Sequence, residues 1–268
     1  MKIAVIGSGI AGLGTAWALS KNHEVTVYEK DTRIGGHAHT VEIDYDGKTI
    51  AVDTGFIVYN ETNYPNLTAL FGELGVATEQ SDMSFAVSAG NGAFEWGSDR
   101  MSKVFGQKRN VLRPSFHAMW IEIMRFNRIA ERDLDSGAAD ALALGDYLDL
   151  RRFGSSFRRN FIVPMGAAIW STSPREVLFF PAKSFLQFFR NHGLLSVHRQ
   201  IAWRTVTGGS REYVKKLIAP FRDRIRGGVG AAAIKRAARH VDIVGTDGSN
   251  QRFDHVVLAT HSDQSLRL

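Results

Sequence analysis

The chain has 268 residues, 44% of them hydrophobic and none of them cysteine. That is enough apolar material for one large core or two small ones, and it excludes disulfides, thiolate metal sites and cysteine nucleophiles. The net charge of +6 (33 Lys and Arg against 27 Asp and Glu) fits an ordinary basic surface and leaves room for an anionic partner, while no apolar run reaches the ~20 residues of a membrane span.

Lys2 and the apolar residues after it imitate a secretory signal, with Ala16-Trp17-Ala18 as a mock cleavage site. Three glycines interrupt that run and a second strand follows directly, so the N-terminus reads as part of the fold. Ile3-Ala4-Val5-Ile6 is a strand, Gly7-Ser8-Gly9-Ile10-Ala11-Gly12 a glycine turn, Leu13 to Leu19 a helix, and Glu24 to Tyr28 a strand ending on Glu29. Strand, G-x-G-x-x-G turn, helix, strand and acid are the parts of a dinucleotide-binding βαβ unit. Gly7 permits the turn, Gly9 lets backbone approach a pyrophosphate, and Gly12 lets the helix pack on the sheet. Ser8, Ile10 and Ala11 complete the candidate phosphate-binding turn at the helix's positive end. Glu29, 17 residues past Gly12, is placed to accept hydrogen bonds from ribose hydroxyls.

Glu29-Lys30-Asp31-Thr32-Arg33-Ile34-Gly35-Gly36 extends the unit as E-x-x-x-R-x-G-G. Here the sequence resembles the FAD-dependent amine oxidase and phytoene desaturase superfamily. The resemblance implies that Lys30, Arg33, Gly35, Gly36 and His37 continue an FAD pyrophosphate and ribityl site, with His37 standing where relatives have a basic residue. Val41 to Val52 reads as a hairpin around Asp46-Gly47. It leads into Asp53-Thr54-Gly55-Phe56, where the resemblance places Thr54, Gly55 and Phe56 near the isoalloxazine ring, with Phe56 or Tyr59 as a wall.

Asn66 to Gly75 reads as a short helix, 81 to 97 as a second hairpin, and Pro114 to Leu134 as the longest helix. On that helix Met119, Trp120, Ile123, Phe126, Asn127 and Ala130 form one stripe. Arg125, Arg128 and Arg132 are expected to share the other face with Glu122, Glu131 and Asp133, which makes it a solvated, salt-bridged surface. Leu144 to Phe161 reads as a further helix, and the aromatic run from Val163 to Phe189 mostly as core. Lys183, His192 and His198 are the titratable candidates for catalysis in this region, near apolar surroundings.

Thr207-Gly208-Gly209-Ser210 with Tyr213, Leu217 and Ile218 resembles the segment that returns to the FAD domain in the superfamily. Residues 229–236 read as a strand whose Ala231 corresponds to an adenine contact in relatives. Val241 to Val244 and Phe253 to Ala259 read as a hairpin about Asp247-Gly248, and Ala259-Thr260-His261 resembles a second nucleotide motif that retains Thr260. Ser262-Asp263 reads as a helix N-cap. The resemblance covers nearly the whole chain but about the first two-thirds of a typical relative, which implies a C-terminally incomplete substrate domain and weaker FAD binding.

The expected fold is α/β: a doubly wound FAD/NAD(P)-binding Rossmann-like domain from 1–60 and 205–268, with a mixed α+β substrate-side domain, 61–204, inserted. The expected function is an FAD-dependent oxidoreductase of the amine oxidase and desaturase type. Hydride would pass from a substrate C–H bond to flavin N5, the substrate being a small amine or an apolar, lipid-like molecule. The alternatives are a non-catalytic FAD-binding remnant or fragment of a longer flavoenzyme, and a flavin-dependent isomerase or NAD-dependent dehydrogenase. A cytoplasmic location is expected, without a metal site or nucleic-acid partner and with room for peripheral membrane contact.

Overall fold

Strand β1 (Lys2–Ile6) is the centre of the structure's first unit, because both of its faces are covered. Val5 faces a core shared with Leu13, Ala16, Val25 and Leu217, whereas Ala4 and Ile6 face a second core with Tyr28, Ile243 and Phe253. The computed structural model describes residues 1–98, 101–196 and 201–268. It divides into two units, Met1–Ser81 with Arg204–Leu268, and Asp82–Trp203.

In the first unit α1 (Ile10–Ser20) carries the chain from β1 to the parallel strand β2 (Glu24–Glu29). A hairpin follows, β3 (Thr40–Tyr45) and β4 (Lys48–Asp53), turned by Asp46 and Gly47 at φ 51° and 73°. Helix α2 (Pro65–Leu74) stops on Gly75 in the left-handed region, and β5 (Thr78–Ser81) ends the segment. The first unit thus runs to Ser81, past the boundary expected near residue 60. Phe71 of α2 is buried against Tyr59 and Tyr213, which ties the helix to this core.

The second unit opens with the hairpin β6 (Ala86–Ala89) and β7 (Phe94–Gly97), followed by α3 (Met101–Val104) and a 3-10 turn, Lys108–Leu112. The long helix α4 (Pro114–Asp135) buries Phe116, Met119, Ile123, Phe126 and Ala130 at helical spacing. The segment read as one helix from Leu144 to Phe161 is instead broken. Helix α5 (Leu144–Leu150) ends where Arg152 takes φ 52°, and α6 (Ser155–Phe157) restarts after Gly154, whose N–H donates to Glu122 at 2.8 Å. A π-helical turn, Arg158–Ile162, runs into α7 (Val163–Trp170), and α8 (Pro174–Val177) and α9 (Ala182–Asn191) complete the unit. Phe185 and Phe189 are fully buried, so most of the aromatic run is core.

The acids of α4 also depart from expectation. Asp133 is 1% exposed and Glu122 turns onto the Gly154 backbone, although each still meets an arginine of α4, Asp133 with Arg132 at 3.4 Å and Glu122 with Arg125 at 3.9 Å. A carboxylate that finds a guanidinium and a hydroxyl inside a unit gains more there than from screened surface pairing.

The chain re-enters the first unit through β8 (Trp203–Val206), paired with β5, and α10 (Arg211–Ile218). Strand β9 (Ile225–Gly227) joins β2 in parallel. Then β10 (Ala231–Arg236), β11 (Val241–Gly245) and β12 (Asn250–Phe253) form an antiparallel sheet. Strand β13 (His255–Leu258) lies parallel to β1, and α11 (Ser262–Ser265) ends the chain. The second arm of the expected hairpin is therefore Asn250–Phe253, and Val256-Val257-Leu258 belongs to the other sheet. Asp254 makes that switch: its N–H donates to Lys2 O at 2.8 Å and its carboxylate accepts from Lys2 N at 2.7 Å. His261, not Ser262, precedes α11, and it makes no side-chain cap.

The parallel sheet has the order β13-β1-β2-β9. Helices α1 and α10 lie with one core face, and the sheet β10-β11-β12 covers the other. This is the α/β class expected, with an antiparallel sheet rather than helices over the second face.

Candidate cofactor site

The βαβ turn lies at the C-terminal ends of β1 and β2. Gly7 takes φ 104°, and a Cβ there would stand 2.7 Å from Ala259 O, with Thr260 at 3.4 Å. Gly12 packs against the Gly7 carbonyl, which leaves no room for a side chain. Gly9 is different. Its backbone is ordinary (φ −68°, ψ 177°), and a Cβ added to it would meet nothing within 4 Å. Nothing inside the chain requires glycine at that position, whereas a ligand lying on the backbone would. The first intrahelical bond runs from Leu13 N–H to Gly9 O, so the N–H groups of Ile10, Ala11 and Gly12 belong to the open first turn.

Glu29 is held beside this turn. Its Oε2 accepts from Ser8 N–H (2.9 Å) and Ser8 Oγ (2.6 Å), and its Oε1 accepts from Asp31 N–H (3.0 Å). Burial pushes the carboxyl up, but the bonds from Asp31 and Ser8, with the neighbouring Lys30 charge, outweigh it and hold it below the usual carboxylate range. Ser8 is fully buried and also meets the diglycine, since Gly35 N–H donates to its carbonyl (3.1 Å) and its Oγ (3.2 Å). Gly36, at φ 57°, lies so close that a Cβ would be 2.8 Å from Gly9 Cα.

The remaining residues converge on the same turn. Phe56 N–H donates to His37 O and Thr54 N–H to His39 O, both at 2.9 Å. Gly55 packs on the His37 carbonyl, and Thr54 Oγ1 and His39 Nδ1 lie 2.8 Å apart. The His37 and His261 rings stack at 6.3 Å, bringing the diglycine loop to the segment after β13. Val229 N–H donates to Glu29 O (2.9 Å), and Gly230 lies against Lys30, which sets Ala231 one residue from the acid's strand. Arg33 is exposed and donates to Ala38 O at 3.5 Å.

Other candidates fall elsewhere. Tyr59 is buried edge-on to Phe71 and presents no wall to a ligand. Lys183, in the second unit, is over half exposed and paired with Asp140 at 3.1 Å, not in apolar surroundings. His192 follows α9, with Nδ1 2.9 Å from Phe188 O and its ring stacked on Phe188 at 3.8 Å. His198 lies outside the described residues.

One connection was not legible in the sequence. Asp53 accepts from Ser210 N–H (2.9 Å) and Ser210 Oγ (2.7 Å), while Thr40 Oγ1 donates to the same carboxylate at 2.6 Å. The D-x-G loop is thereby tied to the start of α10, where a negative charge is favoured. Each partner stood in a motif of its own, but no spacing rule pairs residues 157 apart. Burial, with the Asp53 charge added, pushes the Tyr213 phenol behind them up to about 12.

The residues present fit the adenosine diphosphate half of a dinucleotide: an open glycine, a helix start and an anchored acid. Among solved structures the chain is similar to cyclohexylamine oxidase from Brevibacterium oxydans IH-35A, with a TM-score of 0.73 at 18% identity over all of this chain and 59% of that one. Putrescine oxidase bound to putrescine gives a TM-score of 0.70 at 16% identity, over all of this chain and 60% of that one. A 4,4'-diapophytoene desaturase of Staphylococcus aureus strain bovine RF122 is 49% identical over 45 residues, 16% of this chain and 9% of that enzyme. The chain thus spans about three-fifths of the structures it matches and a small part of the curated relative. The sequence pattern of flavin-containing amine oxidoreductases matches residues 10–267, so the chain belongs to that family.

Proposed function

We propose that the turn at Gly7–Gly12, Glu29 and the Gly35-Gly36 loop bind FAD, and that the protein acts as an FAD-dependent oxidoreductase on a small amine or an apolar, lipid-like molecule. The two substrate classes come from the relatives' own, cyclohexylamine and putrescine on one side and diapophytoene on the other. Bound flavin would supply the hydride acceptor for a substrate C–H bond. The chain's residues supply the holding. Glu29 receives the ribose hydroxyls, the α1 start and Gly9 receive the pyrophosphate, and the Thr54-Gly55-Phe56 loop, braced by Asp53 on Ser210, approaches the ring. A cytoplasmic setting belongs to this reading.

The observation that carries it is Gly9, an open glycine of ordinary backbone conformation at the N-terminal cap of α1, beside the Gly36 backbone. Gly9→Ala is expected to lower FAD affinity by roughly tenfold or more while changing unfolding stability by less than about 1 kcal/mol. Titration of the apoprotein with FAD, followed by flavin fluorescence, and urea unfolding of both proteins check this. Unchanged affinity in the variant, or no FAD uptake by the parent chain, would reject the reading. Anaerobic bleaching of the visible flavin band by cyclohexylamine, by putrescine or by a polyene then separates the substrate classes.

A further inference from the structure

The outward face of α4 carries exposed aliphatic side chains among its arginines. Ala118, Ile121, Met124, Arg128 and Arg132 follow one another three or four residues apart and point away from the core stripe. Ile121 is 69% exposed and Met124 50%. The turn that feeds the helix adds Val111 (51%) and Leu112 (86%), held to the first helical turn by His117 Nε2, 2.8 Å from Val111 O. Leu150, 57% exposed, ends α5 just before Arg151. Arg125 of α4 donates to Arg151 O and, at 3.5 Å, to Arg152 O, and its guanidinium lies 4.7 Å from the centre of the Phe153 ring.

Several acids near this face are paired within the unit, while Glu131 and, on α5, Asp146 are exposed. Asp133 is buried on Arg151 with Arg132 also against it at 3.4 Å, and Glu122 is held by Gly154 and Arg125. Asp135 pairs with Arg190 and Asp149 with Arg158, both at 2.7–2.8 Å. Glu131 remains as an exposed acid on the helix, whereas Arg128 and Arg152 are exposed and have no carboxylate partner among the described residues. Residues 82–203 hold 16 Lys and Arg against 11 Asp and Glu, a net +5 of the chain's +6.

We infer that this face docks on an anionic lipid surface. Leu112, Ile121, Met124 and Leu150 enter the headgroup boundary, and Arg128 and Arg152 meet lipid phosphates. Exposed aliphatic side chains at helical spacing are what an interfacial helix needs and a nucleic-acid face does not. A second copy would set two surfaces of net positive charge against each other, which disfavours self-association. No helix among the described residues is long and apolar enough to cross a membrane, so the contact is peripheral. Flavin binding is independent of this inference.

The full chain is tested by co-sedimentation with vesicles of phosphatidylcholine alone and of phosphatidylcholine with phosphatidylglycerol. Binding is expected to the second vesicle and not the first, and to weaken with added salt. The doubly substituted I121D/M124D chain, altered at two exposed positions and expected to keep its circular dichroism, should bind about tenfold less. Arg128→Glu should also bind about tenfold less, whereas Lys235→Glu, with the same change in net charge but in the other unit, should not. Failure of the parent chain to bind anionic vesicles overturns the inference, as does equal loss in the Arg128 and Lys235 variants. A dimer seen by sedimentation equilibrium, dissolved by I121D/M124D in a chain that ignores vesicles, would assign the face to a second copy instead.

Discussion

At Glu29 two opposing effects act on one carboxyl. Burial raises its pKa, and three donors from Ser8 and Asp31 lower it further than burial raises it. The unfolded chain's Glu titrates near 4.5, so this residue's contribution to stability is fully present above that pH and is lost as pH falls through the lower folded value. Glu29→Gln removes the titration. The parent's urea midpoint is therefore expected to fall more steeply than the variant's as pH drops below 4.5, the two curves converging at the acid end. Parallel curves would show that the carboxylate is not so stabilised. The spacing of Gly7, Gly9, Gly12 and Glu29 was legible because it answers to one short stretch of backbone. The partnership of Glu29 with Ser8 was not, since it depends on which way two side chains turn.

Helix α4 shows the same division at the scale of an element. Its span and its buried stripe follow from apolar periodicity, but its acids do not fall where periodicity puts them. Asp133 accepts from Arg151 Nε at 2.6 Å and from Tyr147 Oη at 3.0 Å, clamping α4 to α5. Burial, with the Asp133 charge added, pushes the Tyr147 phenol well above its ordinary range, so it stays a donor. Asp133→Ala strands a partly buried guanidinium and should destabilise the unit by about 3 kcal/mol. Tyr147→Phe loses one hydrogen bond, about 1 kcal/mol. Urea unfolding followed by tryptophan fluorescence orders the two, and a smaller effect at Asp133 would contradict the clamp. The break at Arg152–Gly154 escaped the sequence for a related reason. Phe153 and Phe157 keep a helical period across it, while the stop is made by contacts from Arg125 and Glu122 of another helix.

Across the whole molecule, the proposed flavin site is assembled from chain segments separated by residues 82–203. Strand β1 sits between β2 and β13, and β9 extends the sheet from the same late segment that supplies α10. A chain ended after Trp203 is expected to lose β9, β13 and α10, and with them FAD binding. The core around Phe116, Phe126, Phe157, Phe185 and Phe189 should persist as helical signal in circular dichroism. FAD uptake by that shortened chain would contradict the assembly. What could be read before folding was the βαβ turn, the E-x-x-x-R-x-G-G extension and the helical core stripes. Each of these is a rule about neighbouring residues: steric freedom of the backbone, or the period of one element. Three features required the tertiary structure: the entry of residues 255–258 into the parallel sheet, the pairing of Asp53 with Ser210, and the withdrawal of acids from the α4 face. Each depends on which distant groups meet, and hydrogen bonding and burial between them decide that only once the chain has folded.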